Sequence, residues 1–175
     1  MKTLNFLFIM VSLTILISCN KNDTEEYPDP NPNVEKYIGL LKSNQYDSLN
    51  LPAFTYQDIP ALLKYRNETQ IITNFPHNPI SSFYGPECKL GIYVLWTIES
   101  IRAVAINSKN LIKRFPSQNP VLGLRNATEY SLVNSEESHK VVAKAYYDWW
   151  YEHRNKSFSA YMSIDPLCKT TYQWE

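Results

Sequence analysis

Residues 87–105 constrain every fold open to this chain. Leu90, Val94, Ile98, Ile101 and Ala105 recur at helical spacing, while Ile92, Tyr93, Leu95, Trp96 and Val104 fill much of the remaining circumference. A surface helix keeps a polar face, so a helix apolar nearly all round has to be packed on several sides. The spacing therefore predicts a central helix from Glu87 to about Ala105. Glu99 and Arg102 interrupt its apolar surface at an i, i+3 separation suited to pairing. Two charges on such a helix either neutralise each other or mark a site, and both readings stand at this point.

The neighbouring segments read as helices that pack on it. Asn33 is a good N-cap, and Val34, Tyr37, Ile38 and Leu41 follow on one face. Thr55-Tyr56-Gln57-Asp58 looks like a second helix opening, with Pro60 tolerated in the first turn and Ile59, Leu62 and Leu63 continuing to about Asn67. Ser135 caps a last long helix whose first turn carries Glu136 and Glu137, as the helix dipole prefers. Val142, Ala145, Tyr146 and Trp149 form its inward stripe. Tyr147, Trp150 and Tyr151 are then left over. They are a candidate ligand or sugar platform, or else they lie beneath the apolar tail from Phe158 to Trp174.

One pattern recurs. Asn67, Ile71-Ile72, Phe75-Pro76 and Asn78-Pro79-Ile80 return forty residues later as Asn107, Leu111-Ile112, Phe115-Pro116 and Asn119-Pro120-Val121. A period near forty is that of two-helix solenoids, and the prolines would make both copies elbows. Asp58-Ile59-Pro60-Ala61-Leu62-Leu63-Lys64-Tyr65 with Leu90-Gly91-Ile92-Tyr93-Val94-Leu95-Trp96-Thr97-Ile98-Glu99-Ser100-Ile101-Arg102 resembles the helix pair of a HEAT-type repeat. The long connection from Asn67 to Pro86 departs from that pattern. The resemblance implies an all-α, irregular helical-repeat domain, compact and single, spanning residues 33–175.

The N-terminus carries a different message. Lys2, the apolar run from Phe6 to Ile17 and the small Ser18 have the pattern of an export signal, and the run is short for a bilayer span. Leu16-Ile17-Ser18-Cys19 resembles the lipobox of bacterial lipoproteins. The resemblance implies a signal peptide at 1–18, acylation of Cys19, and a lipid bilayer as the first partner. Residues 19–32, with Asp23, Glu25, Glu26 and Asp29 among Pro28, Pro30 and Pro32, read as an acidic, proline-stiffened tether. That acidic cluster resembles, imperfectly, the signal that sends Bacteroidota lipoproteins to the outer face. Asp47-Ser48-Leu49 resembles an O-glycosylation acceptor of the same group, which would modify Ser48. The tail from Asp165 to Trp174 looks like the ending of small Bacteroidota lipoproteins. Together these imply an envelope location, with the outer membrane and its surface favoured.

Composition closes several routes. The chain has 17 basic and 17 acidic residues, so nothing electrostatic recommends nucleic acid as a partner. Four glycines argue against a glycine-rich phosphate loop. With Cys19 assigned to lipid, Cys88 and Cys168 remain, and either a disulfide or two buried thiols fits an exported protein. His77, His139 and His153 fall on separate segments. The last two stand about 21 Å apart along one helix and cannot share a metal. No nucleophile elbow, zinc-protease motif or Walker loop is present, and no cofactor or metal is expected. The sequence thus points to a tethered, non-catalytic module that binds an envelope protein or glycan. A hydrolase using Glu99, Glu136 or Glu137 with a histidine, and a structural subunit of an envelope complex, are the alternatives.

Overall fold

In the computed structural model, the structure describes residues 33–82, 85–107, 111–127, 129 and 131–175. The expected signal peptide at 1–18, Cys19 and the expected tether at 19–32 lie outside the described residues. The elements are α1 (Val34–Lys42), a 3-10 turn (Tyr56–Asp58) leading into α2 (Ile59–Leu63), β1 (Ile71–Ile72), β2 (Cys88–Lys89) and α3 (Leu90–Asn107). They continue with a 3-10 turn (Ile112–Arg114), β3 (Leu122–Leu124), β4 (Leu132–Val133), α4 (Glu136–His153), a 3-10 turn (Phe158–Ala160) and β5 (Tyr172–Trp174).

The central helix is where its apolar surface requires it to be. Leu90, Tyr93, Val94, Leu95, Trp96 and Ile98 of α3 are fully buried, each such side chain contributing about 1.5–3 kcal/mol relative to exposure. The predicted start moves, because Cys88 and Lys89 pair as a strand before the helix begins. The caps form as their residues dictate. Asn33 Oδ1 accepts from Lys36 N at 2.8 Å, and Ser135 Oγ accepts from Ser138 N at 3.0 Å. Thr55 and Asp58 form a reciprocal capping box. The helix that this box opens ends at Leu63, short of the expected Asn67.

The all-α, HEAT-like expectation is wrong. The fold is mixed α/β, with four α-helices and five short strands among the described residues. β1 pairs antiparallel with β2, while β4, β3 and β5 form a second antiparallel sheet with β3 in the middle. Strands of two or three residues leave no readable alternation, and the pairing of β3 with β5 joins residues about fifty apart, which no local pattern encodes. Nor are the two proline elbows repeats of one structure. Ile71-Ile72 is a strand, whereas Ile112–Arg114 is a tight turn with Lys113 and Arg114 in the left-handed region (φ 52° and 67°). What the two segments share is their partner. Tyr93 Oη donates to Pro76 O at 2.9 Å and Ser100 Oγ to Arg114 O at 2.6 Å, pinning both elbows to α3. The elbows also touch each other, through Asn78 Nδ2 to Pro116 O at 3.3 Å.

α4 lies against α3 with Val142, Ala143, Tyr146 and Trp149 buried, so Ala143 replaces the expected Ala145 in the stripe. Tyr147 and Trp150 are half-buried and Tyr151 is exposed, while the tail sets Tyr161 against Trp149 and His153. The tail then runs to the sheet, where β5 pairs with β3 and Trp174 reaches Tyr146.

Candidate functional site

The charges on α3 face a cluster that three separated segments assemble. Arg102 donates from Nε to Met162 O at 3.0 Å and from NH2 to Ile164 O at 2.9 Å. Its NH1 pairs with Glu99 Oε2. The other Glu99 oxygen accepts from the Tyr146 hydroxyl, which in turn accepts from Trp174 Nε1 at 2.8 Å. An unbroken chain therefore runs from indole to phenol to carboxylate to guanidinium to tail carbonyls, joining α3, α4, β5 and residues 162–164. The Glu99 and Arg102 side chains are only 12% and 8% exposed. Burial pulls the Arg102 pKa down, but Glu99, with Tyr146 and Asp165 adding to it, leaves it raised. Burial, with the Glu99 charge adding to it, holds the Tyr146 hydroxyl well above its ordinary range.

A second ion pair stands nearby. Arg125 NH2 lies 3.0 Å from Asp165 Oδ2 and also faces the carbonyls of Leu167 (3.3 Å) and Tyr172 (3.2 Å). Asp165 Oδ1 accepts from Leu167 N at 2.8 Å. Arg125 Nε is buried without a hydrogen-bond partner. A cavity of about 610 Å³ opens between the two pairs, with Gln118, Gln173 and Trp174 on its walls.

The histidines are elsewhere. His77 and His139 line a different cavity, of about 220 Å³, together with Cys88 and Glu87. No spacing along the chain signals this meeting, because the residues come from an elbow, a strand and α4. Burial lowers the pKa of both histidines and pushes the Cys88 thiol up to about 12, which disfavours an attacking thiolate there. His139 Nε2 donates to Arg66 O at 2.8 Å. His153 is buried, with Nδ1 2.6 Å from Trp149 O and its ring stacked on Tyr161 at 5.0 Å. Among the described residues no three His, Cys, Asp or Glu side chains are grouped to hold a metal. Glu136 and Glu137 are exposed in the first turn of α4 and face neither cavity.

Cys88 and Cys168 are free thiols lining different cavities, so of the two arrangements left open the bridge is not formed, and Cys168 is not buried either. Cys88 turns toward Pro120 O, whereas Cys168 is exposed on the tail near the end of α4. Ser48 sits in the loop after α1, its hydroxyl accepting from Asn50 N at 3.1 Å, with Leu49 beside it 73% exposed. Tyr147 and Tyr151 stack at 5.8 Å, and Trp150 lies 6.0 Å from Tyr147. The guanidinium groups of Arg66 and Arg154 stand 4.6 and 3.7 Å from the centroids of Tyr147 and Tyr151. The strip is thus an arginine–tyrosine ladder, whose rings are already engaged by cations.

Fold and site together define a small mixed α/β domain built on a buried helix, with a charge-balanced polar cavity closed by its own C-terminal strand. Residues 28–175 match a domain of unknown function, DUF4943, and the chain belongs to that family. No curated protein and no solved structure matches it.

Proposed function

We propose that this chain is a bacterial envelope lipoprotein. In this reading Cys19 is acylated, residues 19–32 are the tether, and the folded domain is a non-catalytic module for an envelope protein or glycan. The outer membrane, and its outer face, is the location that the acidic segment after Cys19 favours. The observation that carries the binding role is the state of the charges at the 610 Å³ cavity. Both oxygens of Glu99 and all three nitrogens of Arg102 are already engaged within the protein. Catalysis by a carboxylate needs a group free to take or give a proton at the reacting atom. The hydrolase alternative needs a histidine beside Glu99, Glu136 or Glu137; the described residues lining this cavity include no histidine, and the cavity that His77 and His139 line includes none of those three carboxylates. A fixed, neutralised and partly apolar wall suits recognition.

The tether is tested by metabolic labelling with an alkyne fatty acid in an envelope-producing bacterial host. Wild type should carry label and Cys19→Ala should not; unlabelled wild type overturns the anchor. The binding role is tested by retention from envelope extract on the immobilised chain. A specific protein or polysaccharide should be retained at near-stoichiometric amount, and retention of neither overturns the module reading.

A further inference from the structure

We infer that the cavity between the Glu99–Arg102 and Arg125–Asp165 pairs is a binding site for a neutral saccharide. The inference rests on the proposed binding role and names the ligand class that its cavity would take.

Charge is the first argument. The wall holds two guanidinium groups and two carboxylates, arranged as two ion pairs. An anionic ligand would meet Glu99 and Asp165, and a cationic one would meet Arg102 and Arg125. Because the two pairs sum to no net charge, an ion of either sign gains little net attraction there to offset the water it loses. A neutral ligand meets no such penalty.

Hydrogen-bonding capacity is the second. Each carboxylate oxygen has two acceptor sites, and the contacts described above use one on each Glu99 oxygen. Asp165 is in the same state, with one contact to Oδ1 and one to Oδ2. A guanidinium has five N–H donors, of which Arg102 uses three in the contacts above. The residues lining this one cavity therefore keep both unused acceptor sites and unused donors. A hydroxyl is both donor and acceptor, so a polyol with adjacent hydroxyls satisfies such a mixed wall in a way that a purely accepting or donating ligand does not. Gln118 and Gln173 add amides, which also offer both functions.

Rigidity and an aromatic wall complete the site. Arg102 is held by two tail carbonyls, Asp165 by Leu167 N, and Trp174 by the Tyr146 hydroxyl. Such fixed groups lose little freedom on binding, which matters for a weakly bound, flexible sugar. The Trp174 indole supplies an apolar surface for the C–H faces of a pyranose ring. A volume of about 610 Å³ suits a short oligosaccharide segment.

The test uses the full chain, 15N-labelled at tryptophan, in a detergent without a sugar headgroup. The probes are four neutral hexasaccharides (α-1,4-glucan, β-1,4-glucan, β-1,4-xylan and α-1,6-mannan) and one anionic one, hexagalacturonate. At least one neutral probe should shift the Trp174 indole N–H resonance saturably at or below about 10 mM, and the anionic probe should not. Gln173→Ala, a partly exposed position, should weaken that binding about tenfold with the melting temperature unchanged, and Asp165→Asn should weaken it by at least as much. If no neutral probe shifts Trp174, or if only hexagalacturonate does, the inference is overturned. So is it if binding survives both substitutions undiminished. Because extract retention and fatty-acid labelling are read independently, failure here with success there removes the saccharide assignment and leaves the tethered module intact.

Discussion

Replacing Glu99 by glutamine should destabilise the domain more than any isosteric change on its surface. The substitution keeps the shape and one accepting oxygen but leaves the Arg102 guanidinium, 8% exposed, without its counter-charge. Removing one partner of a buried pair costs about 3–5 kcal/mol, because the remaining ion stays desolvated and uncompensated. Arg102 keeps its bonds to the Met162 and Ile164 carbonyls, which places the loss at the lower end, about 3 kcal/mol. For a domain of this size each kcal/mol lowers the melting temperature by about 2–4 °C, so Glu99→Gln should melt about 6–12 °C below wild type. The natural assay is urea and thermal unfolding followed by far-ultraviolet circular dichroism. Arg102→Met should cost more, since it also releases the two tail carbonyls. The double variant should be more stable than the sum of the single losses by at least about 1 kcal/mol, because each partner removes the other's penalty. A Glu99→Gln protein melting within about 2 °C of wild type would refute the buried-network argument.

Three further outcomes concern other parts of the molecule. Gly91→Ala should cost about 2 kcal/mol or more in urea unfolding, because its Cβ would stand 2.5 Å from both Arg66 O and His139 Nε2; a neutral effect would mean that the loop before β1 is not where the structure puts it. Stability should be greatest between about pH 6.5 and pH 8.5 and fall on either side, the first loss above it coming from Cys88, whose thiol burial pushes up to about 12. Below that window His77 and His139, whose pKa values burial lowers, take up protons more readily unfolded than folded; above it Tyr37, Tyr46, Tyr93 and Tyr146, raised chiefly by burial, lose protons more readily unfolded. A urea midpoint that is flat from about pH 5 to about pH 11 would contradict both. Ellman's reagent should modify Cys168 rapidly and spare Cys88 until denaturant is added, as exposure and the raised Cys88 pKa require; an unreactive Cys168 would point to a bridge.

Local signals are legible wherever a residue acts on its own neighbours. Asn33, Thr55 and Ser135 cap their helices because each side chain needs only a backbone N–H two or three residues on. Pairing of Glu99 with Arg102 is readable for the same reason, since i, i+3 positions meet on any helix. The fold class is hidden where strands are too short to show a period. Leu122-Gly123-Leu124 and Tyr172-Gln173-Trp174 carry no alternation long enough to detect, and their pairing depends on the whole chain between them having folded. The forty-residue recurrence marks two segments that dock on one helix. It is no structural repeat, because proline fixes where a helix stops but not which conformation the chain takes beyond it.

By itself, the sequence determined the buried central helix and the caps of the helices around it. Helical periodicity and capping each act within a dozen or so residues, so one-dimensional order encodes them. Only the tertiary structure decided that Trp174 would reach Tyr146, that the tail carbonyls would hold Arg102, and that Arg125 and Asp165 would close a cavity beside Glu99. Those contacts join residues far apart in the chain, from 28 positions for Trp174 and Tyr146 to 62 for Arg102 and Ile164. They exist because the apolar surface of α3 must be covered on several sides, and the segments that cover it bring their polar groups along.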